Sequence, residues 1–171
     1  IQEKEQNRED AENMLKNYWN FIQFNPVNTL HIEYWFSFDT EYANLSGKCD
    51  RIDLLDKNCI SIIDYKTSKT IKSEKQLRKN IQLGIYALFA VLKGIDTEKG
   101  KIEGLPNKLS MLYLREKDPE VSVVFTEEDL DNFAAQISDI SRKIQESSFE
   151  PCKGIYCDWC DYKDLLCPEY G

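Results

Sequence analysis

Apolar residues recur along this chain in blocks whose spacing switches between helical and strand periods. Met14, Leu15, Tyr18, Trp19 and Ile22 fall at helical intervals, which predicts a helix over 3–23. Asn25-Pro26 stops it, because proline has no N–H and restricts the residue before it. The aromatic, alternating run Thr29 to Phe38 reads as a strand. Residues 45–55 and 59–67 read as two more, joined by the turn Asp56-Lys57-Asn58. Ser73 and Gln76 have the spacing of a capping box, opening a helix that runs to about Lys93. Residues 94–107 read as a loop. Strands are predicted over 108–115 and 121–125, either side of Asp118-Pro119. Thr126 caps a last helix to about Ser147, with Leu130, Phe133, Ile137, Ile140 and Ile144 on one stripe. From Phe149 onward the chain is a cysteine-rich loop. The order α-β-β-β-α-β-β-α predicts an α/β fold: one mixed sheet flanked by helices.

Composition bounds this picture. With 171 residues the chain can bury one sizeable core, here assigned to 1–149, with residues 150–171 as a tail packed on it. The first residue is Ile1 and not Met, which suggests a piece of a longer protein. No apolar run approaches the roughly 18–20 residues of a membrane span, and no signal-peptide pattern opens the chain. The formal charge of −8 argues mildly against nucleic acid as a partner. The distribution changes that reading. Between Lys66 and Lys79 stand six basic residues (Lys66, Lys69, Lys72, Lys75, Arg78, Lys79) and one acid, Glu74, a stretch able to follow a phosphate backbone. Four of six cysteines crowd into the last 20 residues. That crowding points to metal in a reducing compartment, so an intracellular, cytoplasmic setting is expected.

The chemistry concentrates in residues 47–69, where two apolar strands carry like charges. If Leu55 faces Cys59, then Leu54 faces Ile60 and Ile52 faces Ile62, apolar against apolar. Slipping the pair by one residue sets Leu54 against Ser61. The better register puts Asp50 across from Asp64, where like charges repel. Lys66 lies two residues beyond Asp64, on the same face. A divalent cation, Mg2+ or Mn2+, resolves the conflict, because hard cations take carboxylate oxygens. Two carboxylates, such an ion and a lysine are the equipment of phosphodiester hydrolysis. The alternative is an ordinary salt bridge at a sheet edge.

Gly47-x-x-Asp50, the run Ile62 to Thr67 and Gln82-x-x-x-Tyr86 together resemble the RecB-type branch of the PD-(D/E)XK nuclease superfamily, over about Glu33 to Cys167. That branch includes nuclease domains of helicase-nucleases and CRISPR-associated adaptation nucleases. The resemblance implies a restriction-endonuclease-like core and a Mg2+- or Mn2+-dependent DNA exonuclease, acting on single strands or duplex ends beside a helicase. Asp50 and Asp64 would be metal ligands and Lys66 the catalytic lysine. Gln82 and Tyr86, one turn apart on one helix face, would meet the substrate. Glu33 resembles an upstream glutamate common in the family. Family members usually carry a metal-site histidine on an early helix. The predicted helix 3–23 has none, and His31, the sole histidine, falls in a predicted strand. Either a histidine-bearing helix lies upstream of this piece or the domain has lost it, and the second case motivates another reading: a nuclease-fold domain without catalysis, serving DNA binding or assembly.

The tail has Cys152, Cys157, Cys160 and Cys167 in the spacing Cys-x4-Cys-x2-Cys-x6-Cys. Four thiolates in 16 residues suit tetrahedral coordination, and spacing alone does not separate zinc from an iron–sulfur cluster. Many members of the resembled family hold a 4Fe-4S cluster through three cysteines at the carboxy terminus and one far upstream. Cys157, Cys160 and Cys167 match that trio, and the fourth ligand is Cys152 or lies elsewhere. On either metal the expected role is structural, with a cluster-centred redox module as a further alternative. Cys49 and Cys59, in strands, read as small core residues.

Overall fold

The computed structural model describes residues 2–170. Helix α1 spans Gln2–Phe24 and strand β1 spans Thr29–Asp39. Next come β2 (Asn44–Asp56) and β3 (Cys59–Lys66), then helices α2 (Glu74–Leu77) and α3 (Ile81–Lys93). A small hairpin, β4 (Ile95–Thr97) and β5 (Gly100–Ile102), precedes β6 (Lys108–Tyr113), β7 (Glu120–Val123) and α4 (Glu127–Glu146). Five strands form one sheet in the order β1-β2-β3-β6-β7. Only β3 and β6 run parallel; the other neighbours are antiparallel. Parallel neighbours need a crossover, which α2 and α3 supply. Both central strands are therefore covered on both faces, and both read as nearly unbroken apolar runs. The mixed sheet flanked by helices is the α/β architecture that the periodicity predicts.

Helix α1 lies behind the sheet. The Tyr18 hydroxyl meets that of Tyr65 at 3.0 Å, Asn17 Nδ2 donates to the Leu114 carbonyl at 3.1 Å, and Asp10 pairs with Arg115 at 2.6 Å. Helices α3 and α4 cover the front, where Tyr86, Phe89, Phe133 and Ile137 enter one core with Phe36, Ile52 and Ile62. Gly84 lets the two helices meet. A Cβ there would stand 2.4 Å from the nearest atom of the Phe133 ring, which is itself held against Phe125 at 5.1 Å between centroids. Gly84→Ala is expected to destabilise the fold by about 1–3 kcal/mol through overpacking. A lower urea midpoint with an unchanged slope checks this.

Three local expectations change. The helix foreseen from Ser73 to about Lys93 is two helices. Asn80, at φ −81 and ψ 114, steps out of helical conformation, and its Oδ1 accepts from Leu83 N at 3.1 Å to start α3 afresh. The capping box does form, with Ser73 N donating to Gln76 Oε1 at 2.8 Å. The stretch 94–107 contains the β4–β5 hairpin, which follows directly on Gly94 in the left-handed region at φ 69. Finally, the β2–β3 turn is tighter than foreseen. Cys59 pairs with Asp56, and Leu55 is bulged out. The bulge absorbs the difference, so Leu54–Ile60 and Ile52–Ile62 pair as the apolar match requires.

Candidate active site

The β2–β3 ladder runs from Asp56–Cys59 to Arg51–Ile63 and stops one step short of the two aspartates. Asp50 is not a ladder partner of Asp64. Its carboxylate instead accepts the Tyr65 backbone N–H at 2.8 Å. The strands thus part where the charges stand, which relieves the direct opposition that a continued ladder would impose.

Asp64 is 3% exposed, on the central strand β3. Lys66, two residues on, brings its ammonium to 2.6 Å from Asp64 Oδ2. Helix α3 supplies the rest from one face. Gln82 Nε2 donates to Asp64 Oδ1 at 2.8 Å, while its Oε1 accepts from Lys66 Nζ at 2.9 Å. Gln82 is therefore a bridge that fixes the carboxylate and the ammonium relative to each other. The Tyr86 hydroxyl lies 3.3 Å from Asp64 Oδ1 and 3.2 Å from the Lys48 carbonyl, and Gln82 Nε2 reaches it at 3.0 Å. Its single proton serves one acceptor at a time. Gly47 opens the strand leading here because Phe36 lies over it: a Cβ would meet the ring at 2.7 Å.

Burial pushes the Asp64 carboxyl above its usual range. The Lys66 ammonium opposes that shift, the Asp50 charge adds to it, and Tyr86 acts against it. Burial and then the Asp64 charge likewise raise the Tyr86 hydroxyl. Cys49 is fully buried beside these groups, and its thiol is pushed up to about 12, first by burial and then by Asp50 and Asp64. It is an inert core thiol as expected. The raised carboxyl has a consequence for the metal-free chain. Above the ordinary value of 3.8, the folded chain keeps a proton on Asp64 that the unfolded chain has lost. Stability falls as pH climbs through that interval. Asp64→Asn is expected to flatten the slope, as urea titrations at a series of pH values check.

The donor set fits a hard cation. Asp64 Oδ2 is buried without an aligned hydrogen bond, its contact with Lys66 being electrostatic. A second carboxylate, Asp50, is held nearby on the backbone N–H of Tyr65, the residue after Asp64. Among the described residues, no three His, Cys, Asp or Glu side chains converge as a ligand group. That holds for the tail as well. Cys152 and Cys160 are exposed and Cys157 and Cys167 half-buried, all as free thiols. Cys157 Sγ accepts from Gly154 N at 3.2 Å. Trp159, Ile155 and Leu165 stand exposed around it.

A family model of the PD-(D/E)XK nuclease superfamily matches residues 2–168. The chain belongs to the PD-(D/E)XK nuclease superfamily. It is also similar to a subunit of the ATP-dependent helicase/deoxyribonuclease of Streptococcus uberis, 29% identical over 116 residues, which is 66% of this chain. The chain spans only 10% of that relative's length. No helix among the described residues is long and apolar enough to cross a membrane.

The other residues singled out in the sequence make contacts of their own. His31 has its Nε2 2.6 Å from the Asp96 carbonyl and packs on Tyr34. Lys69, Lys72, Lys75 and Lys79 are exposed, whereas Arg78 is engaged by Asp129 at 2.9 Å. Glu33 pairs with Lys48. One cluster escaped sequence reasoning. Behind the site, Arg51 is 5% and Asp53 3% exposed, paired at 3.1 Å. Arg51 Nη1 also donates to Tyr18 at 2.7 Å and Tyr65 at 3.0 Å, and Thr29 Oγ1 donates to Asp53 at 2.9 Å. The available signal was Arg51 and Asp53 two apart in an apolar strand, hence on one face.

Proposed function

We propose that this chain is a metal-dependent DNA exonuclease module working beside a helicase. The observation that carries the reading is the bridged Asp64–Lys66–Gln82 group, with a second carboxylate, Asp50, held on the amide of Tyr65, the residue after Asp64. Asp50 and Asp64 would hold Mg2+ or Mn2+. When bound, such an ion neutralises charge on a phosphodiester and lowers the pKa of a water molecule.

The chain's own residues do the positioning. Gln82 Oε1 accepts one N–H of the Lys66 ammonium, so Nζ is held between Gln82 and Asp64. That leaves Nζ one N–H to donate to a phosphate oxygen as negative charge develops there. Tyr86 anchors the α3 side through Lys48. The exposed lysines after β3 would carry the phosphate backbone toward the site. The helicase partner rests on the Streptococcus uberis relative. For the tail, Cys152, Cys157, Cys160 and Cys167 are soft donors of the type that takes Zn2+ or a 4Fe-4S cluster, and such a group would have the structural role of pinning the tail to the core. Anaerobic protein is expected to absorb in the visible if iron–sulfur is held, and to yield zinc on elemental analysis if not.

The test is digestion of end-labelled single-stranded and duplex DNA with Mg2+, Mn2+ or a chelator. Stepwise shortening that the chelator abolishes supports the reading, and the ladder gives polarity. A non-catalytic DNA-binding or assembly role is the second reading, favoured because the sole histidine is engaged at Asp96. It predicts DNA retention in a mobility shift with no shortened product.

A further inference from the structure

The β1–β2 pair contains a double defect at one level. Glu33 has φ 55, in the left-handed region, inside a long strand. The ladder pairs Ile32 with Arg51 and Tyr34 with Cys49, which sets Glu33 and Asp50 at the same rung, and that rung alone is missing between them. On one side of it, Tyr34, Phe36 and Cys49 face the α3 core, with Phe36 4.7 Å from Phe89 and Cys49 fully buried. Strict alternation would then send Arg51 to the same face as Cys49. Arg51 goes to the opposite face, to Tyr18 of α1, and Ile52 enters the core. Both strands therefore reverse their facing across the Glu33–Asp50 rung. A glutamate rarely adopts this φ, and such outliers persist where surrounding structure enforces them.

We infer that Glu33 is a positioning residue whose left-handed backbone turns the Asp50 carboxylate out of the ladder and onto the Tyr65 N–H, beside Asp64. This rests on the nuclease reading for its catalytic consequence, but its structural core does not. The Glu33–Lys48 ion pair gives the side chain a separate contact, so the test separates backbone from side chain. Glycine and asparagine accept this φ and remove the carboxylate; valine, β-branched, does not accept it.

Two readouts are needed. The first is hydrogen exchange at the Tyr65 amide, in each background with and without Asp50→Ala. In the wild type, Glu33→Gly and Glu33→Asn, removing Asp50 is expected to speed exchange about tenfold by taking away the acceptor. In Glu33→Val, removing Asp50 should change little, because the contact is already lost. The second is DNA cleavage: Glu33→Gly and Glu33→Asn keep the rate within about threefold, while Glu33→Val loses about a hundredfold or more. An Asp50 effect that persists in Glu33→Val overturns the inference. So does its disappearance in both Glu33→Gly and Glu33→Asn, which are the folded controls should the valine variant fail to fold. A wild type that cleaves nothing but shows the expected exchange pattern overturns the nuclease reading alone.

Discussion

Lys66→Ala is expected to cut DNA cleavage by roughly 10²–10³ or more, with the fold intact by circular dichroism. The reason is the way Lys66 is held. Its ammonium is shared between Asp64 Oδ2 at 2.6 Å and Gln82 Oε1 at 2.9 Å, so it is fixed before substrate arrives and no reorganisation accompanies the reaction. The side chain is partly exposed whereas Asp64 is buried, so the ammonium is the part of the pair that a phosphate meets. Lys66→Arg should not restore the rate. A planar guanidinium would bind Asp64 in a fork and displace the Gln82 contact. Single-turnover kinetics under saturating DNA separate this from weaker binding. Loss confined to KM would assign Lys66 to substrate binding, and full activity in Lys66→Ala would remove it from the mechanism.

The second large effect is on stability and lies on the opposite face. Asp53→Ala is expected to cost about 3–5 kcal/mol, because it leaves the buried Arg51 guanidinium without its counter-charge. The penalty is steep because Arg51 has nowhere to go. Tyr18 and Tyr65 offer it only neutral oxygens, and its Nε already lacks a partner. The double change Arg51→Met with Asp53→Leu removes both charges and should recover most of the loss. Urea denaturation of the three variants checks this as a cycle. If Asp53→Ala costs as little as an exposed pair, under about 1 kcal/mol, water reaches Arg51 and the clamp is not closed. Because Arg51 and Tyr65 adjoin Asp50 and Asp64 in sequence, the clamp also ties the back of the sheet to the site.

The sequence by itself determined the five strands of the main sheet, the long helices at either end and the central register. Isoleucines at 52, 60 and 62 in alternating strands have one pairing that buries them all, and the structure has that pairing with Leu55 bulged to permit it. The family resemblance singled out Gln82 and Tyr86, one helical turn apart on α3, and both reach Asp64. Three things only the tertiary structure decided. A break in the predicted long helix came from Asn80 preferring a cap to a helix interior, a choice periodicity does not display. The parting of β2 from β3 at Asp50 depends on the backbone of Glu33 in a different strand, and pairing rules assume regular strands. The Arg51–Asp53 clamp needed Tyr18 from α1 and Thr29 from β1. A charge two places from another in a strand has no readable partner until the chain folds a helix over it.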